Sequence, residues 1–170
     1  MRIKMENVKN KSNEKNLLIV SWFIGIGGGI LMLLSLVLPF LSFSSDNYSM
    51  ISYFQELQKV GKYFRDGETL ATLITVLVIL IGIFSFLALL FAFLKKPIGG
   101  IVFTVLSLIV FCLLCWDLTD RGVVSEKAAG WAVAYYIFII GILLSLGGAV
   151  FMIVQKKKMN NQAVNTVDAE

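Results

Sequence analysis

Four long apolar runs alternate with short polar segments along the chain. They cover residues 17–38, 70–94, 98–116 and 131–154, and no charged residue lies inside any of them. As an α-helix, each is long enough to cross roughly 30 Å of hydrocarbon. The pattern predicts an all-α integral membrane protein, a four-transmembrane-helix bundle. Residues 1–16 form a basic tail and 17–154 the transmembrane domain. Residues 155–170 form a second tail, expected to be disordered. Loops 39–69 and 117–130 join the first to the second and the third to the fourth span. Only Lys95, Lys96 and Pro97 separate the middle spans, which predicts a tight antiparallel hairpin.

Between the first two spans the periodicity changes. Pro39 ends or kinks the first helix. Short alternating stretches around Ser45, Asp46 and Asn47 predict a small β-hairpin. Next, Met50, Tyr53, Phe54, Leu57, Val60 and Phe64 share one side at helical spacing, opposite Gln55, Gln58, Lys59, Lys62 and Arg65. That is an amphipathic outer-loop helix, with Ser49 or Ser52 as its cap. One reading lays this helix on the leaflet or over the bundle. The other makes Phe54, Leu57, Val60 and Phe64 a docking face for a membrane or extracytoplasmic protein.

Small residues recur where membrane helices need close approach. Ser21, Gly25 and Gly29 fall at i, i+4 and i+8 in the first span. Gly141, Ser145 and Ala149 do the same in the fourth. Both stripes are expected to make helix contacts, in one arrangement with each other. Gly25→Leu and Gly29→Leu are expected to loosen the bundle.

Charge gives the orientation. The two tails and the 95–97 turn hold ten basic residues and the other two loops hold five. Basic loops stay inside, so a cell-membrane, multi-pass chain with both termini cytoplasmic is expected. The run at 17–38 is of full span length with no small-residue cleavage site after it, so it reads as a retained anchor. Trp116 and Trp131 flank the second outer loop as interfacial anchors. The basic tails fit the insertion rule and anionic lipid, and no nucleic-acid partner is expected.

Of the chain's 170 residues 58% are hydrophobic and 15% charged, and there is no histidine. This excludes histidine-dependent nucleophilic triads and the HExxH metal site. No charged group sits in a span to couple ion movement. Neither a cofactor nor a metal is expected. Cys112 and Cys115 share a helix face at i, i+3, the spacing of thiol-exchange sites. In topology and this pair the chain is similar to the quinone-linked disulfide-bond oxidases. That resemblance implies, as an alternative, a thiol-disulfide oxidoreductase using Cys112 and Cys115. It departs from them in lacking a second cysteine pair in an outer loop.

The Leu38-Pro39-Phe40-Leu41-Ser42 exit, the Lys95-Lys96 turn and the glycine-rich fourth span before Lys156, Lys157 and Lys158 carry a broader likeness. The chain resembles small four-span membrane proteins of low-GC Gram-positive bacteria. Many of those carry an N-terminal zinc ribbon, which is absent here. The resemblance implies a bacterial plasma membrane. The expected function is non-catalytic protein–protein binding: an accessory subunit of an envelope complex, or an immunity protein against a toxin or peptide. A homo-oligomer is compatible with this.

Overall fold

The computed structural model describes residues 2–43, 46–61, 67–125 and 129–167, with side chains for 16–43, 46–59, 69, 71–125 and 129–161. The chain runs α1 (Arg2–Leu34), β1 (Pro39–Ser42), β2 (Asn47–Ser49), α2 (Met50–Gly61), α3 (Gly67–Phe93), α4 (Pro97–Asp120), β3 (Gly130–Trp131) and α5 (Val133–Val167). Among the described residues, four helices are long and apolar enough to cross a membrane, over Asn16–Leu34, Ala71–Phe93, Pro97–Asp120 and Val133–Asn161.

Two boundaries differ from expectation in ways that matter. The first helix stops at Leu34, because Pro39 starts a strand and residues 35–38 form the turn into it. The third runs on to Asp120, so Asp117 and Asp120 belong to a helix and not to a loop. The tails differ too. The C-terminal segment is helical to Val167, where disorder was expected. At 1.5 Å per residue, α1 and α5 are each about 50 Å long, well beyond a hydrocarbon core of about 30 Å.

Helix α1 packs most extensively on α5, and α3 on α4. Contacts of α1 with α3 and of α4 with α5 join the two pairs. The α1–α5 crossing is set by missing side chains. A Cβ at Gly28 would lie 2.3 Å from the Ser145 backbone nitrogen, and one at Gly148 would lie 2.5 Å from that of Gly25. The two small-residue stripes do face one another. The register is Ser21, Gly25 and Gly28 against Gly141, Ser145 and Gly148, one residue away from the expected Gly29 and Ala149. Gly29 turns toward α3 instead, where a Cβ would sit 3.0 Å from the Leu89 side chain. A Cβ on Gly25 would meet nothing within 4 Å, so the expected sensitivity of Gly25 moves to Gly28.

Buried hydroxyls connect the helices. The Ser85 and Ser107 hydroxyls lie 3.1 Å apart between α3 and α4. Those of Thr104 and Ser145 lie 2.9 Å apart between α4 and α5, while Thr104 also donates to the Gly100 carbonyl. Each hydroxyl can donate to a nearby carbonyl and still accept.

At one end, which we call the cap end, the two loops fold together. β1 lies in the centre of a three-stranded sheet of order β2-β1-β3. The β1–β2 hairpin was expected, and its middle residues 44 and 45 lie outside the described ones. The third strand, contributed by the second loop, was not expected. Leu41 pairs with both Tyr48 and Trp131, and the register slips between Pro39 and Leu41. Phe40 is therefore the extra residue of a bulge, and bulges re-aim side chains. Its ring turns into the core against Phe111 and Trp131, with centroids 6.0 and 5.4 Å away. Phe111 in turn stacks near Phe138, at 4.3 Å.

The opposite end is held by the 95–97 turn. The Trp22 indole donates to the Ala92 carbonyl at 2.8 Å. The Lys156 ammonium donates to the Lys95 carbonyl at 2.8 Å. The Lys95 ammonium lies 4.9 Å from the Trp22 ring centroid.

Candidate functional site

The amphipathic helix α2 is built as its sequence implies. Ser49 caps it: the Ser52 backbone N–H donates to the Ser49 hydroxyl at 3.1 Å, and the Ser49 N–H donates to the Ser52 hydroxyl at 2.8 Å. This reciprocal pair satisfies two otherwise unpaired donors. Met50 is fully buried, and Tyr53, Phe54 and Leu57 pack against the core. The apolar face is thus turned inward, the first of the two arrangements considered above. Phe54 and Leu57, expected to meet a partner, are half-buried against the chain itself. The Val60 side chain and Phe64 lie outside the described residues. What α2 presents outward is Ile51, Gln55, Glu56, Gln58 and Lys59.

Beside α2, the last turn of α4 carries the charged part of the cap. Arg121 donates to one oxygen of Asp117, at 2.8 Å from Nε and 2.7 Å from the terminal guanidinium nitrogen. The other oxygen, Oδ2, is buried without a hydrogen-bond partner. Burial pushes the Tyr53 phenol of α2 above its ordinary pKa; the neighbouring Asp117 charge adds to the rise and Arg121 opposes it. The hydrogen bond to Asp117 likewise raises the Arg121 pKa. Asp117 and Asp120 also border an open groove of about 280 Å³ between α3 and α4. With residues 117–130 expected as a loop, no spacing relates Asp117 to Arg121. The missing signal was the i, i+4 spacing of Asp117 and Arg121, visible only once α4 is known to continue past Trp116.

Cys112 faces outward from α4 and Cys115 is half-buried one turn on; both are free thiols. Ser21, Gly141 and Ser145 lie where α1 and α5 approach most closely, and Ala149 is buried.

Comparison with known proteins finds no matching family model, no matching curated protein and no matching solved structure.

Proposed function

We propose that this chain is a non-catalytic bacterial plasma-membrane protein, a four-helix transmembrane bundle with both termini cytoplasmic, that works by binding another protein at its cap. The partner classes are an envelope complex, in which the chain is an accessory subunit, or a toxin or peptide against which it confers immunity. The surface in question is the outward side of α2 with the free edge of β2. Phe54 and Leu57 hold that surface in place from beneath.

One observation carries the reading. Both loops are folded into a single cap, with Phe40, Leu41 and Met50 fully buried under it. A cap anchored this deeply is a fixed surface, and loops carried on rigid scaffolds are where recognition residues concentrate. The interior supports it as well. Its buried polar side chains among the described residues are serines, one threonine and Gln155. Hydroxyls of this kind act in membrane proteins as helix-to-helix contacts.

Site-specific photocrosslinking in cells tests the proposal. A benzophenone side chain at Gln55 or Gln58 should give a discrete protein adduct. The same probe at Leu143, 65% exposed on α5, should give lipid adducts. Failure to trap any protein from α2 and β2 positions, with normal insertion, rules the reading out.

A further inference from the structure

The charges among the described side chains are sorted by end. The carboxylates Asp46, Glu56, Asp117 and Asp120 all belong to the cap, where Glu56 pairs with Lys59 and Asp117 with Arg121. At the other end stand Lys95 and Lys96 of the turn between α3 and α4, and Lys156, Lys157 and Lys158 of α5. Among the described residues, none of these five has an ion-pair partner. Three of them are drawn together by contacts that spend little of their charge. The Lys156 ammonium crosses from α5 to the Lys95 carbonyl, at 2.8 Å, and an ammonium has two further donors. The Lys95 ammonium lies over the Trp22 ring of α1, 4.9 Å from its centroid, a contact with the ring face that leaves its N–H groups for other acceptors. Lys96 is exposed and stands at the N-cap of α4, whose first turn holds no acidic residue. That end of a helix carries partial positive charge and adds to the lysines. Like charges gathered in this way repel, and an anion among them removes the cost.

The level of the cluster fixes the kind of anion. Lys95 and Lys96 fill the gap between the apolar helices Ala71–Phe93 and Pro97–Asp120, so they lie where hydrocarbon gives way to headgroups. Trp22, whose indole donates to the Ala92 carbonyl at 2.8 Å, is of the residue type that anchors at that depth. On the span side of the lysines, Phe93, Leu94 and Ile98 are 52%, 55% and 72% exposed. Cations set over bare apolar surface match an amphiphile with an anionic head. A soluble phosphate or an acidic peptide would leave the apolar part unused.

We propose that this turn seats one anionic phospholipid of the leaflet opposite the cap. Its phosphate is received by Lys95, Lys96 and Lys156, and its chains lie along Phe93, Leu94 and Ile98. A basic tail attracts anionic lipid diffusely; here three lysines from two separate elements are held at one place, which makes a fixed seat. A zwitterionic phospholipid brings its own cation to the phosphate and gains less from the lysines. The site goes beyond the protein-binding reading and does not depend on it, since it lies at the other end of the bundle.

Native mass spectrometry of the full chain in maltoside micelles, titrated with phosphatidylglycerol or phosphatidylcholine of the same chains, is the test. Saturable retention of a single phosphatidylglycerol is expected, about tenfold or more tighter than phosphatidylcholine. A lysine beside an anionic headgroup contributes about fivefold, so Lys96→Gln should reduce the preference by about that factor. Lys95→Gln/Lys96→Gln/Lys156→Gln should abolish it. Lys157→Gln/Lys158→Gln should change it by about twofold at most, as exposed charges outside the seat do. Should the triple variant fail to fold, Lys96→Gln, at an exposed side chain, and the two-lipid comparison carry the test. The proposal falls if the two lipids bind alike, if Lys96→Gln or the triple variant keeps the wild-type preference, or if Lys157→Gln/Lys158→Gln costs as much as the triple variant. It also falls if glycerol phosphate or an oligoglutamate peptide displaces phosphatidylglycerol at equal concentration.

Discussion

Replacing Gly28 with alanine adds a single methyl group at the tightest point of the α1–α5 contact. The new carbon would sit 2.3 Å from the Ser145 backbone nitrogen, 2.6 Å from the Gly141 carbonyl oxygen and 2.8 Å from the Ser145 Cα. These are backbone atoms, so no side-chain rotation relieves the clash. Non-bonded carbons rest at about 3.5–4.0 Å, and the helices must part by roughly 1 Å. A gap of that size removes about a quarter to a half of the dispersion well for each atom pair it opens. Overpacking of this kind destabilises by about 1–3 kcal/mol. Alanine's helix propensity offsets about 1 kcal/mol of it, leaving a net loss of up to roughly 2 kcal/mol. Gly148→Ala should behave alike, since its methyl would meet Gly25 N at 2.5 Å and Ser21 O at 2.8 Å. Gly25→Ala and Gly147→Ala are the controls: nothing lies within 4 Å of either added carbon, so both should be neutral or slightly stabilising. Reversible unfolding by SDS in maltoside micelles measures all four. The reasoning is refuted if Gly28→Ala and Gly148→Ala unfold with the wild type, or if Gly25→Ala loses as much as they do.

Three further outcomes follow from other contacts. A double-mutant cycle on Ser85 and Ser107, 3.1 Å apart, should give a coupling of about 0.6 kcal/mol, the average for membrane hydrogen bonds; zero coupling would mean the hydroxyls bond elsewhere. Lys95 has a left-handed backbone, φ 55°, which disfavours any residue with a Cβ by about 1–2 kcal/mol. Lys95→Gly should therefore melt above Lys95→Ala, both having lost the cation over Trp22; equal melting temperatures would deny the strain. Folding raises the Tyr53 pKa above 10.0, so the protonated phenol is the form that suits the fold. Its contribution is complete below pH 10.0 and is lost as pH climbs through the folded value. Tyr53→Phe should flatten the alkaline decline of the melting temperature, and superimposable alkaline profiles would contradict the burial of that hydroxyl.

How much could be read from residues alone differs from element to element. The α2 pattern gave the helix and its apolar side, because the opposite side meets water: Met50, Tyr53, Phe54 and Leu57 share one side of it. It did not say what the apolar side would cover, and the assembly of long helices covers it. For α1 and α5 the composition announced close contact without giving the rotation. Gly27, Gly28 and Gly29 are equally small, and 100° per residue separates them around the axis. The charged end of α4 was missed because Asp117 looked like the end of a span, although a helix can continue past the apolar core.

The sequence by itself determined the number of long helices, their order and the hairpin at Lys95, because a hydrocarbon layer of about 30 Å demands about 20 apolar residues at a time. Tertiary structure decided which glycine faces which helix, where the sheet's third strand comes from and what stands beside Asp117. The physical reason is that lipid and protein interior are equally apolar, so a membrane helix carries no amphipathic record of its inward face. Strand pairs such as Leu41 with Trp131 join residues 90 positions apart, and no local pattern encodes a meeting that only the packed helices bring about.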